Sequence, residues 1–206
     1  KRLISLGYTI KSEGFYNNCG AVLFKGDRYE MHNFLSLEYV QPNETIDFFE
    51  FGVLRGEITR TWCTNNKNPN SRFWGFDTFT GLPEDWGSVK KGSFSAKGKL
   101  PDIDDARLEF CVGLIQDTLP PFLPAYKSEG RKVIHIDVDL YNASLFTLIQ
   151  FAPLLKAGDI IVFDDFFTLT KADHEYKAFM DFLSLYPVKY KSVYKCRRGH
   201  FVIEIL

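Results

Sequence analysis

The chain has 206 residues, of which 45% are hydrophobic and 16% aromatic, enough apolar material for one sizeable core but too little length to require two domains. A formal net charge of -1 gives no electrostatic reason to bind nucleic acid or an anionic membrane surface. No apolar run in the sequence reaches the roughly 18 residues that a membrane span needs. We therefore expect one domain over residues 1–206 that binds neither nucleic acid nor membrane.

The four cysteines lie far apart in sequence, at Cys19, Cys63, Cys111 and Cys196, and form no C-x-x-C pair. This spacing favours neither a zinc site nor a disulfide framework. Reduced thiols are typical of cytoplasmic proteins, so we expect a cytoplasmic location.

Residues 1–45 are the least regular part of the sequence, and we interpret them as a helical cap. Asp27 followed by Glu30 is a capping-box pattern, which predicts a helix through "RYEMHNFLSLEYV" up to Pro42. Such a cap could roof a sheet or take part in a homodimer.

From residue 46 onward, short apolar runs alternate with longer amphipathic stretches. The runs are "TIDFFEFG", "RFWGFDT", "LEFCVG", "KVIHIDVD" and "DIIVFDD", and each ends in or just after an acid or a glycine. This alternation predicts a parallel sheet with helical crossovers. Right-handed crossovers place the carboxyl ends of parallel strands at one edge of the sheet.

The second half of the chain contains two further helical patterns and a hairpin pattern. In "NASLFTLIQFAPLLKAGD" and "HEYKAFMDFLSLY", apolar residues recur at helical spacing, and Gly158 and Pro187 close the two segments. The tail "VKYKSVYKCRRGHFVIEIL" indicates two strands joined around Arg198 and Gly199. We expect them to form an antiparallel hairpin at the end of the sheet.

The turn "EFGVLRGE" is the first candidate binding feature. Glu50 ends a strand, and Gly52 and Gly56 flank the turn into a helix, where glycine lets the backbone approach a ligand closely. Its G-x-x-x-G spacing differs from the dinucleotide fingerprint. Asp77 ends the next strand, where an acid accepts hydrogen bonds from ribose hydroxyls. Together these residues predict a nucleoside-bearing ligand, although Asp77 alone could merely cap the loop "DTFTGLP".

Carboxylates follow two neighbouring strands. Asp137 closes one strand, and Asp164 and Asp165 close the next, so three like charges meet at one edge. Such charges raise one another's pKa values unless a cation lies among them. A hard divalent ion fits oxygen ligands, Mg²⁺ first and Ca²⁺ or Mn²⁺ next. We predict a metal site formed by these three residues; the alternative is one acid capping a helix and another pairing with Lys or Arg. Asp139 could be a fourth ligand, but we favour a role in capping the helix near Asn142.

The stretch 78–106 is rich in Gly, Pro, Ser and Lys and is far longer than the usual ~4–6-residue connection. Long ordered loops at this edge are usually lids or binding loops, and Trp86 and Phe94 are candidates for stacking on a substrate. His174 is a further candidate for facing the substrate, with a surface position as the alternative. His135 alternates with isoleucines on a strand and is interpreted as a hydrogen-bonded core histidine.

In order along residues 46–167, five segments resemble class I S-adenosylmethionine-dependent methyltransferases, specifically the macrocin O-methyltransferase-like group that modifies sugar hydroxyls. The segments are "FEFGVLRGE", "WGFDTFTGLPEDW", "VGLIQDTLPPFL", "IHIDVDLY" and "LKAGDIIVFDDF". The resemblance implies a Rossmann-like α/β fold with a mostly parallel, seven-stranded sheet and a C-terminal antiparallel hairpin. It also implies S-adenosylmethionine as cofactor and a sugar or glycosylated small molecule as acceptor.

The same resemblance implies roles for the candidate residues. Glu50, Gly52 and Gly56 would hold the methionine end of the donor, Asp77 the ribose, and the turn around Gln116 the adenine. Further donor contacts would come from Phe51, Thr78, Asp117 and Asp137. The acid trio also resembles that of catechol O-methyltransferase, in which a divalent ion holds the acceptor oxygen beside the donor methyl. Asp137, next to both metal and donor, is the candidate acceptor of the hydroxyl proton.

Two other classes of function fit parts of the sequence. "DVD" matches the D-x-D of metal-dependent glycosyltransferases and of aspartate-dependent phosphatases, but the first leaves Glu50, Gly52 and Asp77 without a role and Leu140 is atypical of the second. A non-catalytic nucleoside-binding module is the other alternative. Its mark would be a missing donor or metal residue, and the sequence has all of them.

Overall fold

The computed structural model describes residues 2–127, 129–167, 173–196 and 199–206, without the side chains of residues 2–5. The chain divides into two compact units. We call Asp27–His135 the central unit, and Lys1–Gly26 together with Ile136–Leu206 the terminal unit. The expectation of a single domain stays a prediction.

The described residues contain helices and strands that alternate along most of the chain. The helices are α1 (Arg2–Asn18), α2 (Arg28–Phe34), α3 (Glu57–Asn65), α4 (Ile115–Phe122), α5 (Tyr141–Phe151) and α6 (Glu175–Leu185). The strands are β1 (Val22–Leu23), β2 (Ile46–Phe51), β3 (Arg72–Asp77), β4 (Leu108–Val112), β5 (Arg131–Ile136), β6 (Ile160–Phe163), β7 (Tyr190–Lys195) and β8 (Phe201–Ile205). A π-helical turn, Leu35–Tyr39, extends α2, and a 3₁₀ turn, Ala152–Leu154, extends α5.

The strands form a sheet in the order β1-β7-β8-β6-β5-β2-β3-β4. Strand β3 pairs in parallel with β2 and β4, whereas β8 pairs antiparallel with β6 and β7. The Rossmann-like α/β fold and the C-terminal hairpin are therefore confirmed. The predicted number of seven strands is wrong, because the described residues contain eight. The additional strand, β1, has only 2 residues, too few to show a two-residue alternation in the sequence.

Most of the predicted helices are also confirmed. Asp27 and Glu30 form the predicted capping box: the Asp27 carboxylate accepts from the N–H of Glu30, and the Glu30 carboxylate accepts from the N–H of Asp27. Helices α5 and α6 lie in the two segments with helical spacing. Helix α1 lies within residues 1–45, which the sequence analysis interprets as a helical cap without giving bounds for this helix.

Aromatic packing fixes β2 in the central unit. All six residues of β2 are buried. Phe48 stacks on Trp62 of α3 with ring centroids 5.0 Å apart, and Phe49 stacks on Trp74 of β3 at 4.9 Å. Each buried aromatic side chain stabilises the fold by roughly 1.5–3 kcal/mol. The carboxyl end of β2, where the glycine turn begins, is therefore held rigidly against both neighbours.

A second aromatic group anchors the segment after β6 in the terminal unit. Phe166 lies with its ring centroid 5.0 Å from Phe163, 4.6 Å from Phe201 and 5.7 Å from Phe179. These rings come from β6, β8 and α6. Phe166 thus fixes the chain directly after Asp164 and Asp165.

Within the described ranges, no helix combines the length and the apolar character that crossing a bilayer requires. The four cysteines, all in described positions, form no disulfide. Burial, with repulsion from Asp105, raises the pKa of Cys63 to about 12, and burial raises the pKa of Cys111 to about 11. These two thiols are protonated at neutral pH.

Candidate active site

The turn between β2 and α3 carries the glycines that the sequence identifies as a binding feature. Gly52 and Gly56 have φ angles of 90° and 74°, in the left-handed region that other residues rarely adopt. Gly56 is the N-cap residue of α3, and a Cβ atom there would lie 2.8 Å from Pro101. Position 56 therefore requires glycine for both conformation and space. A helix N-terminus after such a turn can bind an anionic group through its backbone N–H groups.

Asp77, at the end of β3, binds backbone N–H groups on both sides of it. Its Oδ2 accepts from Val53 at 2.8 Å and Leu54 at 2.7 Å, and its Oδ1 accepts from Phe79 at 2.7 Å. The carboxylate thus ties the glycine turn to the start of the loop 78–106. This geometry matches the loop-capping alternative, and a contact with ribose stays a prediction.

Glu50 is buried, with 1% of its surface exposed. It accepts a hydrogen bond from the hydroxyl of Thr59 on α3, and its Oε1 lies 3.2 Å from Nδ1 of His135. The interpretation of His135 as a hydrogen-bonded core residue is confirmed. Phe51 is also fully buried and stacks on Phe76 at 4.8 Å. Glu50 therefore braces the turn from inside the core, and direct contact of Glu50 or Phe51 with the donor stays a prediction.

The predicted metal ligands lie in the terminal unit. Asp137 follows β5, and Asp164 and Asp165 follow β6. Asp137 and Asp164 offer carboxylate oxygens within 4.8 Å of each other, a spacing that a shared cation can bridge. Asp164 is buried, whereas Asp137 and Asp165 are half-buried. The structure therefore brings Asp137 and Asp164 together, and the third predicted ligand, Asp165, directly follows Asp164 in the chain.

Glu175, the first residue of α6, is a further acid that the sequence does not single out. It is fully buried, and its Oε2 accepts from the N–H of Asp165 at 3.0 Å. Burial raises the pKa of Glu175 well above its usual range, and repulsion from four aspartates raises it further. These are Asp165, Asp164, Asp137 and Asp139. We call the five residues the acidic cluster. A glutamate in the first turn of a helix usually complements the helix dipole, so its sequence position gave no reason to place it here.

Asp139 lies directly before the N-cap residue of α5. The N-cap residue of α5 is Leu140, and no side-chain capping bond is formed at that position. Asp139 itself has a φ angle of 61°. Capping of the helix near Asn142 by Asp139 stays a prediction, and the charge of Asp139 contributes to the acidic cluster.

The loop 78–106 is folded against itself in the central unit. Thr78 donates to the carbonyl oxygen of Gly81 at 3.3 Å, and Trp86 pairs through its backbone with Val89. The side chain of Trp86 is 4% exposed, whereas that of Phe94 is 52% exposed. The roles of Trp86 and Phe94 at a substrate, and of Thr78 at the donor, stay predictions.

Gln116 and Asp117 occupy the first turn of α4, and both are exposed. Asp117 also lines an open groove of about 680 Å³ with aromatic walls. The aromatic residues of the groove are Trp74, Phe122 and Tyr126. An adenine contact by Gln116 or Asp117 stays a prediction.

His174 is the N-cap residue of α6. Its Nδ1 accepts from the backbone N–H of Tyr141, the first residue of α5, at 3.3 Å. Because an acceptor nitrogen carries no hydrogen, this bond places the proton of the neutral ring on Nε2. His174 therefore links the starts of two helices, and its predicted contact with substrate remains untested.

A family model described as a methyltransferase domain matches residues 49–166, more than half of the 206 residues. The match runs from β2 to the turn after β6 and includes Asp77, Asp137, Asp164 and Asp165. Among curated proteins, no sequence matches this chain.

Solved structures share the fold at low sequence identity. The O-methyltransferase NovP is 20% identical over 86% of this chain and 78% of its own, with a TM-score of 0.65. The calicheamicin methyltransferase CalS11 is 19% identical over 96% of this chain and 91% of its own, with a TM-score of 0.62. An O-methyltransferase from Bacillus cereus, in complex with SAH, is 18% identical over 98% of this chain and 90% of its own, with a TM-score of 0.58.

Proposed function

We propose that this chain, which belongs to the methyltransferase-domain family, transfers a methyl group from S-adenosylmethionine to a hydroxyl of a sugar or glycosylated small molecule, with the aid of a divalent cation. Within the family, we propose that it belongs to the macrocin O-methyltransferase-like group. The observation that carries the proposal is the acidic cluster after β5 and β6, which the methyl donor alone does not require.

The donor set of the cluster fits a hard dication. The side chains of the acidic cluster offer carboxylate oxygens, which Mg²⁺ and Ca²⁺ prefer. Among the described residues, none donates a hydrogen bond to Oε1 of Glu175, although this oxygen is buried. A bound cation would offset both the repulsion and this desolvated oxygen. We propose Asp137, Asp164 and Asp165 as its ligands.

The central unit supplies groups suited to the donor. The turn at Gly52 and Gly56 offers backbone N–H groups at the start of α3 to the carboxylate of the methionine part. Asp77 can receive ribose hydroxyls with the lone pairs that its three backbone bonds leave over. Glu50 keeps the turn in place through Thr59. Gln116 and Asp117 are the proposed adenine contacts.

The reaction breaks the C–S bond of the sulfonium donor and forms a C–O bond to the acceptor, whose hydroxyl loses its proton. Asp137 is the proposed proton acceptor, because it is half-buried, whereas Glu175 is fully buried. A divalent cation, when bound, would lower the pKa of that hydroxyl and help to align its oxygen. Since a nucleophile meets a cationic donor, exclusion of water and alignment are the main contributions required of the protein.

A sugar acceptor is supported by what similar folds act on. CalS11 is described as a TDP-rhamnose 3'-O-methyltransferase. The acidic cluster can bind oxygen groups through a cation, and Phe94 of the loop 78–106, which is exposed, suits stacking on a sugar face. Trp86 is buried and would stack on a sugar only after the loop uncovers it. We propose a nucleotide-linked or glycosylated sugar as the first acceptor class to test.

Isothermal titration calorimetry with S-adenosylhomocysteine, with and without Mg²⁺, tests the donor and the metal together. We expect binding in both conditions, and methyl transfer to a sugar panel from labelled S-adenosylmethionine only with the divalent cation present. Donor binding with chelator-resistant transfer would contradict the metal role. Binding of a nucleotide sugar without S-adenosylhomocysteine binding would contradict the methyltransferase assignment. Full turnover by Asp137→Asn would exclude Asp137 as proton acceptor.

A further inference from the structure

The turn formed by Asp164 and Asp165 is held by hydrogen bonds from other segments of the terminal unit. The N–H of Asp164 donates to the carbonyl oxygen of Ile136 at 3.0 Å, and the N–H of Phe167 donates to that of Gly199 at 3.0 Å. In addition, Nδ1 of His200 lies 3.3 Å from Oδ1 of Asp164. These bonds fix the turn on both sides of Asp165.

The N–H of Asp165 is bound differently, because its acceptor is a side chain. Oε2 of Glu175 accepts it at 3.0 Å from a position ten residues later. A partly buried backbone N–H that loses its acceptor costs about 1–3 kcal/mol, so without Glu175 this peptide would rotate towards water. This peptide joins the Cα atoms of Asp164 and Asp165, so its rotation would shift the carboxylates of both residues.

As the acceptor of a purely structural hydrogen bond, Glu175 is energetically unfavourable. Glu175 is fully buried, it faces the charges of four aspartates, and among the described residues its Oε1 has no hydrogen-bond donor. A glutamine could accept the same bond without adding negative charge. A negatively charged side chain at this position becomes favourable when a cation binds to the acidic cluster.

We propose that Glu175 is a positioning residue, which fixes the Asp164–Asp165 turn in the arrangement that binds a divalent cation. The inference rests on the metal site of the proposed function and adds to it the residue that preorganises its ligands. Removing groups that hold metal ligands in place typically lowers metal affinity by about 10- to 100-fold.

The test compares Mg²⁺ affinity in three variants by isothermal titration calorimetry at a temperature well below the unfolding transition. Glu175→Ala removes the acceptor and is expected to weaken Mg²⁺ binding about 10- to 100-fold. Glu175→Gln keeps an oxygen that can accept from Asp165 and loses only the charge, so it is expected to weaken Mg²⁺ binding clearly less than Glu175→Ala does. Glu13→Ala is the control, because Glu13 is likewise a helical glutamate of the terminal unit but is exposed.

Affinity for S-adenosylhomocysteine, measured in chelator, separates positioning from misfolding. Each variant should bind it as wild type does, since neither Glu175 nor Glu13 is among the proposed donor contacts. If Glu175→Ala keeps wild-type Mg²⁺ affinity, or if Glu175→Gln loses as much as Glu175→Ala, the positioning role is wrong while the metal site stands. If wild type binds no Mg²⁺, the metal site of the proposed function fails and the positioning role falls with it.

Discussion

At the scale of single residues, Asp77 shows how one carboxylate can serve structure and binding at once. Its two oxygens accept three backbone N–H groups, from the glycine turn on one side and the loop 78–106 on the other. Bonds to an ionised acceptor are stronger than neutral ones, at roughly 1.5–3 kcal/mol each. The sequence identified Asp77 by its place after β3, but spacing cannot reveal which backbone groups a carboxylate binds.

Asp77→Asn is expected to lower both stability and donor affinity. An amide offers one acceptor oxygen, so its NH₂ group must face a backbone N–H of either Val53 or Phe79. We expect the free energy of unfolding in urea to fall by about 2 kcal/mol and S-adenosylhomocysteine binding to weaken at least tenfold. If only the ribose needed Asp77, binding would weaken while the urea midpoint stayed unchanged.

At the scale of elements, the sequence predicts helices and strands that have a repeating pattern. It does not predict features that depend on contacts between residues far apart in the chain. The five runs after residue 46 are all strands, and the Asp27–Glu30 box opens α2 as predicted. Strand β1 escaped notice because pairing with β7, and not its own two residues, makes it a strand. Glu175 was missed for a related reason: its neighbours in the acidic cluster come from the ends of β5 and β6.

The turn between β2 and α3 allows a test with an internal control. Gly56 and Gly20 have nearly the same φ angles, 74° and 75°, but a Cβ at Gly56 would lie 2.8 Å from Pro101, whereas one at Gly20 would have nothing within 4 Å. At either position, the left-handed conformation raises the free energy of an alanine residue by roughly 1–2 kcal/mol.

Gly56→Ala is therefore expected to destabilise the protein by more than Gly20→Ala, by at least about 1 kcal/mol, because overpacking adds to the backbone strain. It should also abolish S-adenosylhomocysteine binding, since the start of α3 must move away from Pro101. Urea denaturation and calorimetry on both variants measure the two effects. If Gly56→Ala and Gly20→Ala lower the stability equally, the loop around Pro101 moves to accommodate the new Cβ atom without loss of stability.

At the scale of the whole molecule, the open question is whether the central and terminal units unfold together. The single-domain prediction implies one cooperative transition. The chain itself provides a selective probe, because its three tryptophans, Trp62, Trp74 and Trp86, all lie in the central unit. Tryptophan fluorescence therefore reports the central unit, whereas far-UV circular dichroism reports the whole chain.

Adding Mg²⁺ tests whether the unfolding of the central unit is coupled to that of the terminal unit. Its proposed ligands lie only in the terminal unit, and a ligand at 100 times its Kd stabilises the state that binds it by about 2.7 kcal/mol. If the molecule unfolds as one unit, Mg²⁺ should raise the urea midpoint equally by fluorescence and by circular dichroism.

NaCl at equal ionic strength controls for screening, and the double variant Asp164→Asn with Asp165→Asn should remove the shift. A shift seen only by circular dichroism would mean that the central unit unfolds on its own, contrary to the single-domain prediction.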